Sequence, residues 1–572
     1  MSFSDLRASR KTKSYVNGPS TKKEAREVPS EQQPAVESAL PSNGLYRDLP
    51  LSIEVRTCDI SGRGLWSKVN LAAGQVLFAV QPHVAVLSTE KMDGYCSACF
   101  GLPPPSGLKR CTQCRSVWYC DSTCQTKDWS VHKHECTSLQ RWSKAAPSDD
   151  LSIPSDAIRC MGRILWMRQK KRVDSVWTRE LDAMQSHRKN LPLSASEMHT
   201  HLAHSLVQYL GLSSPDDLRQ FGINSSGDLV DLISRFTTNT FTITDAALCP
   251  LGVSVSPAVA LINHSCDPNA VIVFPRVSAH PQADEPLMHV VVLRNILPGE
   301  EIVTAYIDTT LPRSLRQGSL KETYHFDCRC QLCRSPPDMD PRESMWCTKA
   351  CGGMCPLPTE ENPLTRCNEC NSAVQSTDAV LDAVRVGQEA LDKAIVVQFK
   401  DPAKARQLST KLIPILTSAG LTPSCHPLLG LTILHKSFLI SSFSSSCTQE
   451  YLDNTVRVAT KALTGLVSIH REGHPVLGIA LAELAKILAV DEPSPRETNE
   501  PGFYPPSGPP RLNLAYDTFI RARNSLMIGF GRMNEGGEIG RHVRDAIVSL
   551  EKEIGVWKQG VRNVFQDTPK SK

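Results

Sequence analysis

Seven cysteines and His132 are spaced between residues 96 and 136 as Cys96-x2-Cys99, Cys111-x2-Cys114, Cys120-x3-Cys124 and His132-x3-Cys136. Cys-x2-Cys spacing lets two thiolates of one turn face a single ion, and two tetrahedral zinc sites use eight ligands. Cys328-x-Cys330-x2-Cys333 adds a set of three that lacks a fourth ligand. Beyond it, Cys347-x3-Cys351 and Cys367-x2-Cys370 flank a Pro-containing loop in the form of a zinc ribbon. Residues 335–375 contain too little apolar material for a core of their own, so a metal would solve a stability problem. The alternative is free thiols in a flexible connector. Cys355 follows a Gly-Gly-Met turn without a close partner and is read as spare. The N-terminus has no signal-peptide apolar region, so the 21 cysteines point to intracellular zinc rather than disulfides.

A different chemistry lies in Asn263-His264-Ser265-Cys266-Asp267-Pro268-Asn269, between an apolar segment, Ala258 to Ile262, and a strand-like run, Val271 to Phe274. Alone, it reads as a turn, because Asp-Pro-Asn is turn chemistry and Asn and Ser satisfy nearby backbone groups. Its companions change that reading. Upstream is Gly62-Arg63-Gly64-Leu65-Trp66. Downstream are Pro298-Gly299-Glu300-Glu301-Ile302-Val303-Thr304-Ala305-Tyr306-Ile307-Asp308 and Tyr324-His325-Phe326-Asp327-Cys328-Arg329-Cys330-Gln331-Leu332-Cys333. In this order they resemble the SET domain of protein lysine methyltransferases. The cysteine-rich run, with Trp118-Tyr119-Cys120 and Trp129-x2-His132-Lys133-x-Glu135-Cys136, resembles a MYND finger over its full length. A finger inserted after the first strands is the arrangement of the SET and MYND domain (SMYD) family. The resemblance runs from about Leu51 to Cys333, roughly half the chain.

The resemblance implies an S-adenosylmethionine-dependent protein-lysine N-methyltransferase with structural zinc. It assigns Gly62, Arg63, Gly64, Asn263, His264, Tyr306 and Phe326 to cofactor binding, and Tyr306 and Tyr324 to catalysis, with Asn239 and Phe241 lining the same region. It pairs Cys96, Cys99, Cys120 and Cys124 on one zinc, and Cys111, Cys114, His132 and Cys136 on another. Cys266 completes a third with Cys328, Cys330 and Cys333. The ribbon cysteines Cys347, Cys351, Cys367 and Cys370 are a possible fourth site outside the family pattern. Ala260 stands where a small, often hydroxylated residue is expected. His134 fits no ligand position.

The elements that must position these residues give an α+β multidomain chain. The expected order is a disordered tail over 1–48, the first SET strands over 49–92, the finger over 93–137, and a helical insertion over 138–234. The SET core follows over 235–312 and a cysteine-rich post-SET region over 313–375. A helical, tetratricopeptide-like domain over 376–572 carries an exposed Pro-rich insert at 492–511. Strands are expected at Ile53 to Arg56, Gln75 to Val80, Arg235 to Ile243, Val290 to Leu293 and Glu301 to Tyr306. Helical spacing marks Ile158, Ile164, Leu165 and Met167, and Met198, Leu202, Leu206 and Leu210. In the last domain it marks Val380, Ala383, Val384, Ala390 and Leu391, then Val456, Ala459, Ala462 and Leu463, then Leu481, Ala482, Leu484, Ala485 and Leu488.

With 572 residues, 41% of them hydrophobic, the chain can bury several cores. A net charge of +4 is too small to make nucleic acid or an anionic membrane the main partner. No apolar run reaches the length of a membrane span. Residues 1–26 carry seven basic and two acidic side chains, a solvated tail or a weak nuclear-import patch. The expected setting is cytoplasmic and nuclear, as a monomer, with a lysine-bearing protein as substrate and a Pro-rich peptide as a partner of the finger. The rival reading is a non-enzymatic adaptor that keeps both folds as scaffolds.

Overall fold

A left-handed glycine begins the sheet that carries the candidate site. Gly62 sits at φ +70°, a conformation that strains other L residues. It closes the hairpin of β1 (Ile53–Cys58) and β2 (Gly62–Ser67), in which Cys58 lies opposite Gly62 and Ile53 opposite Ser67. β12 (Glu301–Thr304) pairs antiparallel with β2, and β9 (Asn263–His264) pairs parallel with β12, giving the order β1-β2-β12-β9. Asn263 is thereby fixed opposite Val303 and His264 opposite Thr304. The computed structural model describes residues 44–567, apart from 60, 192, 336, 338, 375–376, 444–446 and 497–502. The tail expected over 1–48 lies outside the described residues up to position 43. From Gly44 onward the chain is packed: Tyr46 is buried and its N–H donates to Glu180 Oε1 at 2.7 Å.

Two further small sheets complete the framework. β3 (Val76–Val80), β10 (Ala270–Val273) and β11 (Met288–Val292) form one, in the order β10-β11-β3. β4 (Val84–Leu87), β7 (Thr240–Thr244) and β8 (Pro250–Val255) form the other, in the order β4-β8-β7. β4 and β8 escape a search for alternation because β8 is buried along its whole length. Gly252 is needed there, since a Cβ would lie 2.1 Å from Val86 O on β4. The strand expected from Arg235 starts only at Thr240. Arg235 to Thr238 instead end the helix Ser226–Thr238, whose Ser225 and Asp228 form a capping box.

The finger follows β4 and contributes the hairpin β5 (Lys109–Arg110) and β6 (Trp118–Tyr119). Helix α1 (Ser122–Ala145) then begins on Asp121, whose carboxylate accepts from the N–H groups of Thr123 and Cys124. α2 (Asp156–Lys171) packs against α1 through a buried ionic network. Arg163 Nη1 donates to Asp128 Oδ1 at 2.9 Å, and Arg163 Nε to Glu135 Oε2 at 3.0 Å. Arg159 Nε reaches Glu135 Oε1 at 3.4 Å, and its Nη1 reaches Leu87 O on β4 at 2.9 Å. Glu135 is wholly buried, yet its carboxyl is held below the usual range by the two arginines and His132, which outweigh desolvation. Lys170, Lys171 and Arg172 are exposed. α3 (Val176–Ala183), α4 (Leu193–Leu210) and α5 (Ser226–Thr238) complete the insertion.

After α6 (Arg313–Tyr324) and the hairpin of β13 (Ser344–Trp346) and β14 (Met354–Pro356), the chain becomes helical. α7 (Thr377–Val397), α8 (Pro402–Ser418), α9 (His426–Ser441), α10 (Gln449–Ile469), α11 (Pro475–Leu488), α12 (Pro509–Gly529) and α13 (Gly537–Asp567) each pack on the next. The apolar stripes expected on α7, α10 and α11 are buried, with Val384 partly so. In the described part of the Pro-rich insert, Pro493 to Pro495, Phe503 and Tyr504 are exposed, while its end is tied down. Pro505 and Ser507 are buried, and Ser507 Oγ and Gly508 N–H both donate to Glu492. No described helix is long and apolar enough to cross a membrane.

The helical domain docks on the sheet β10-β11-β3. Val273 and Val291 share its core, Arg532 N–H donates to Gly74 O at 2.8 Å, and Asn534 Nδ2 donates to His289 Nδ1 at 3.1 Å. Burial lowers the His289 pKa to about 4.

Two outcomes follow from these contacts. Arg163→Met leaves Asp128 and Glu135 buried without their main counter-charge. It should cost about 3–5 kcal/mol in urea unfolding, and a loss below about 1 kcal/mol would remove the network from the stability account. His289 is neutral when folded but takes a proton near its ordinary pKa when unfolded, so stability is full above that pKa and falls as pH drops toward 4. Between pH 7 and 5 the wild type should lose about 2 kcal/mol through this group. His289→Gln should show a shallower pH dependence by that amount, and identical slopes would refute it.

Candidate active site and metal centres

The ligand residues of the finger are brought together in two interleaved quartets. Cys96, Cys99, Cys120 and Cys124 form one and Cys111, Cys114, His132 and Cys136 the other, with all ligand atoms of a quartet within 4.8 Å of one another. Four thiolates at a Zn–S distance of about 2.3 Å stand about 3.8 Å apart. Cys99 and Cys120 are separated by 3.7 Å, Cys111 and Cys136 by 3.9 Å, and Cys114 Sγ and His132 Nε2 by 3.7 Å. These separations fit zinc and exclude disulfides, whose sulfurs lie about 2.05 Å apart. His132 presents its other nitrogen to Glu135 Oε2 at 3.4 Å, so the buried network that joins α1 to α2 also orients a zinc ligand. His134 is exposed, beside Trp166, and belongs to neither quartet.

Cys266, Cys328, Cys330 and Cys333 form a third quartet. Cys266 Sγ lies 3.5 Å from Cys333 Sγ and 4.0 Å from Cys328 Sγ. Arg316 on α6 is fully buried, donates Nη1 to Leu311 O, and leaves Nε and Nη2 without partners. The Arg316 charge acts on Glu343, where it opposes the rise in pKa that burial causes. Cys347, Cys351, Cys367 and Cys370 gather as a fourth quartet beside β13 and β14, while Cys355 lies outside it in the adjoining core.

Around the third quartet the expected site residues converge. Cys266, Ile307, Leu320, Cys328 and Cys333 form a small core, and the partly buried Tyr306, Tyr324 and Phe326 pack on it. The rings of Tyr306 and Tyr324 are 4.9 Å apart, those of His264 and Tyr306 5.3 Å, and those of His264 and Phe326 6.1 Å. Together they make one continuous aromatic wall. Tyr306 donates its hydroxyl to Ile262 O at 2.7 Å, and Tyr324 donates to Tyr306 O at 3.3 Å. Burial, with help from Tyr324 and Glu301, raises the Tyr306 pKa, so the phenol stays protonated at neutral pH. His264 Nδ1 accepts from the Tyr306 N–H at 3.0 Å, and burial lowers its pKa to about 4. The imidazole is therefore neutral with its proton on Nε2, which faces Cys266 Sγ at 3.4 Å.

Asn263 Nδ2 donates to Arg63 O at 3.2 Å and to Glu301 Oε1 at 2.8 Å. These side chains also account for glycine at position 64. A Cβ there would meet Glu301 Oε1 at 2.4 Å and Asn263 Nδ2 at 3.0 Å, so the neighbours that demand glycine are side chains of the protein itself. At Gly62 the demand is the left-handed backbone, and the space beside it is open. The Arg63 guanidinium donates to Ala183 O at the end of α3. Asn239 uses its amide on Gln185 O and Arg235 O, which makes it a cap of α5. Phe241 and Ala260 are partly buried against the main core.

Sequence reading missed Asn269. Fully buried, it donates to Glu301 O at 2.8 Å and accepts from Val303 N–H at 2.8 Å, which binds the end of the Asn-His-Ser-Cys segment to β12. It also missed Arg471, between α10 and α11, which grips Asp267 through two hydrogen bonds of 2.9 and 2.7 Å. Only the turn chemistry of Asp-Pro-Asn marked Asn269 in advance, and nothing local marked Arg471.

The MYND finger family model matches residues 96–136. Over 278 residues the chain is 31% identical to the Arabidopsis thaliana protein named Histone-lysine N-methyltransferase ASHR1, covering 48% of this chain and 53% of that one. It is 30% identical over 276 residues to N-lysine methyltransferase SMYD2 of Gallus gallus, 48% of this chain and 57% of that one, and 30% identical to its Homo sapiens counterpart, 48% and 58%. The chain thus spans about half the length of the curated relatives it matches. A solved SET domain of LSMT bound to lysine and AdoHcy aligns over 88% of each chain at 14% identity, with a TM-score of 0.28 that gives the likeness no weight. The chain therefore carries a MYND finger and is similar, over about half its length, to proteins named as lysine methyltransferases.

Proposed function

We propose that this chain is a protein-lysine N-methyltransferase that uses S-adenosylmethionine, with histone or non-histone proteins as substrates. One observation carries the reading: Tyr306, Tyr324, Phe326 and His264 form a single partly buried aromatic wall beside a small core that holds the third cysteine quartet. The relatives named as lysine methyltransferases support it.

In this proposal Asn263, His264, Phe326 and the Gly62–Gly64 turn hold the cofactor, and Tyr306 and Tyr324 line the lysine channel. The bound cofactor supplies an electrophilic methyl group on a positively charged sulfonium. The protein must deliver a neutral amine to it. A free lysine has a pKa near 10.4, so deprotonating it at pH 7 costs about 4–5 kcal/mol. An apolar channel disfavours the ammonium form and lowers that cost. Aromatic faces hold positive charge without a carboxylate that would stabilise the protonated amine. Tyr306 is not the base, because its raised pKa keeps the phenol protonated. Its hydrogen is directed to Ile262 O, which leaves the oxygen's lone pairs as acceptors. Catalysis is then positioning and electrostatics, with no nucleophilic cysteine. A Pro-rich peptide on the finger and action as a monomer complete the proposal, and neither enters the chemistry.

Incubation with labelled S-adenosylmethionine and a proteome extract, followed by mapping of labelled residues, tests the whole. Label on lysines supports it. Cofactor binding without any transfer would favour the adaptor reading. Within the site, Tyr306→Phe should lower kcat strongly while cofactor affinity stays within a few-fold, because the hydroxyl acts at the reacting centre. Turnover near wild type would make Tyr306 a core residue only. Cys266→Ser should lose one zinc and weaken cofactor binding together, since Cys266 faces both His264 Nε2 and the third quartet. Unchanged cofactor affinity after loss of that zinc would refute the coupling.

A further inference from the structure

We propose that Cys347, Cys351, Cys367 and Cys370 hold a fourth zinc ion, and that this ion fastens the segment leaving the active-site core to the helical domain. The four sulfurs lie within 4.8 Å of one another, with Cys347 and Cys370 at 3.5 Å and Cys351 and Cys367 at 3.5 Å. They come from two loops folded back on themselves. Cys347 N–H donates to Gly353 O, and Cys367 N–H to Ser372 O. Gly352 at φ +86° and Asn371 at φ +54° supply the left-handed turns. Gly353 has no room for a side chain, because a Cβ would stand 2.6 Å from Cys367 Sγ.

Every sulfur of this set faces a donor. Gly353 N–H points to Cys351 Sγ and Glu369 N–H to Cys367 Sγ, each at 3.4 Å. Ser372 Oγ lies 2.9 Å from Cys370 Sγ and 3.4 Å from Cys347 Sγ. Donors aimed at sulfur favour thiolate over thiol. Four thiolates in mutual contact repel one another unless a cation lies among them, and tetrahedral sulfur ligation selects zinc. Free thiols in a flexible connector need neither the folded-back loops nor the donors.

The quartet is placed where an ion would matter mechanically. β13 runs into Cys347, and its Trp346 N–H donates to Gly420 O at 2.7 Å, while Ser344 Oγ lies 2.8 Å from Thr422 Oγ1. Met345, Cys347, Cys355, Cys367 and Val374 share a core with α7, α8 and α9. Burial and the neighbouring Cys367 and Cys347 raise the Cys355 pKa to about 11, which suits a buried thiol outside the metal set. Cys347 and Cys367 thus face the helical domain, while Cys351 and Cys370 are exposed.

Elemental analysis of the full chain purified without added metal should give four zinc ions per chain. Cys367→Ser with Cys370→Ser should give three. Cys351→Ser with Cys370→Ser, which touches only the exposed ligands, should also give three. A wild-type count of three that neither pair lowers would overturn the proposal, as would one iron in place of the fourth zinc. Alkylation of the wild type is independent of folding defects in the variants. Exposed Cys351 and Cys370 should resist iodoacetamide until a chelator is added, and modification at the rate of a free thiol before chelation would overturn the assignment.

Discussion

Cys266 belongs to two structures at once, and the rest of the candidate site depends on that. Its backbone continues the segment that pairs with β12 through Asn263 and His264. Its sulfur joins three cysteines that arrive 62 to 67 residues later. The segment is too short to have a core of its own, so it is held from outside at every point. Asn263 is tied to Arg63 O and Glu301, Ser265 N–H to Thr304 O, Asn269 to the β12 backbone, and Asp267 to Arg471. The Asp267–Arg471 pair is largely exposed and contributes little. The buried hydrogen bonds and the sulfur cluster set the geometry.

That arrangement explains why metal chemistry and aromatic chemistry share one small core. The chain from Tyr324 to Cys333 carries two rings of the wall and three sulfurs of the quartet within a single turn of sequence. His264 connects them, accepting from the Tyr306 N–H on one nitrogen and facing Cys266 Sγ with the other. Its low pKa matters for this role, because a charged imidazole would have no lone pair for Tyr306. A zinc ion held by this quartet would be structural, and in the proposed reaction its place would set where one edge of the aromatic wall stands.

Cysteine spacing made the metal sets legible because ligand geometry is local, two thiolates to a turn. The aromatic site was legible only through its resemblance to a known pattern, since nothing in the local sequence requires Tyr306 to meet Tyr324. Physical reasoning from pattern failed in definable ways. β8 is buried on both faces and shows no alternation, so neither it nor its partner β4 stood out. Arg235 to Thr238 looked like the approach to a strand, yet the capping box at Ser225 and Asp228 extends a helix through them, and Asn239 ends it. The demand for glycine at position 64 was not legible, because Glu301, distant in sequence, occupies the space a side chain would need. The Arg159, Arg163 and Glu135 network joins helices through residues that local periodicity reads only as polar positions.

The chain interrupts its own sheet twice, with a finger and with a helical insertion, and then leaves it for a helical domain. Each module must return in register, because residues 62–64, 263–269, 306 and 324–326 come from four separate passes. Small modules bury too little apolar surface to fix such angles by packing alone. The joints are accordingly made of directional interactions. A buried ionic network holds finger to insertion, a hydrogen bond to neutral His289 holds helices to sheet, and cysteine quartets stand at the finger, the active-site core and the exit to the helical domain. Directional joints suit the alignment that the proposed methyl transfer would need, where an error of about 1 Å in the reacting geometry can cost a hundredfold in rate. On this view the cysteines are the means by which separate passes of the chain keep one aromatic opening in shape.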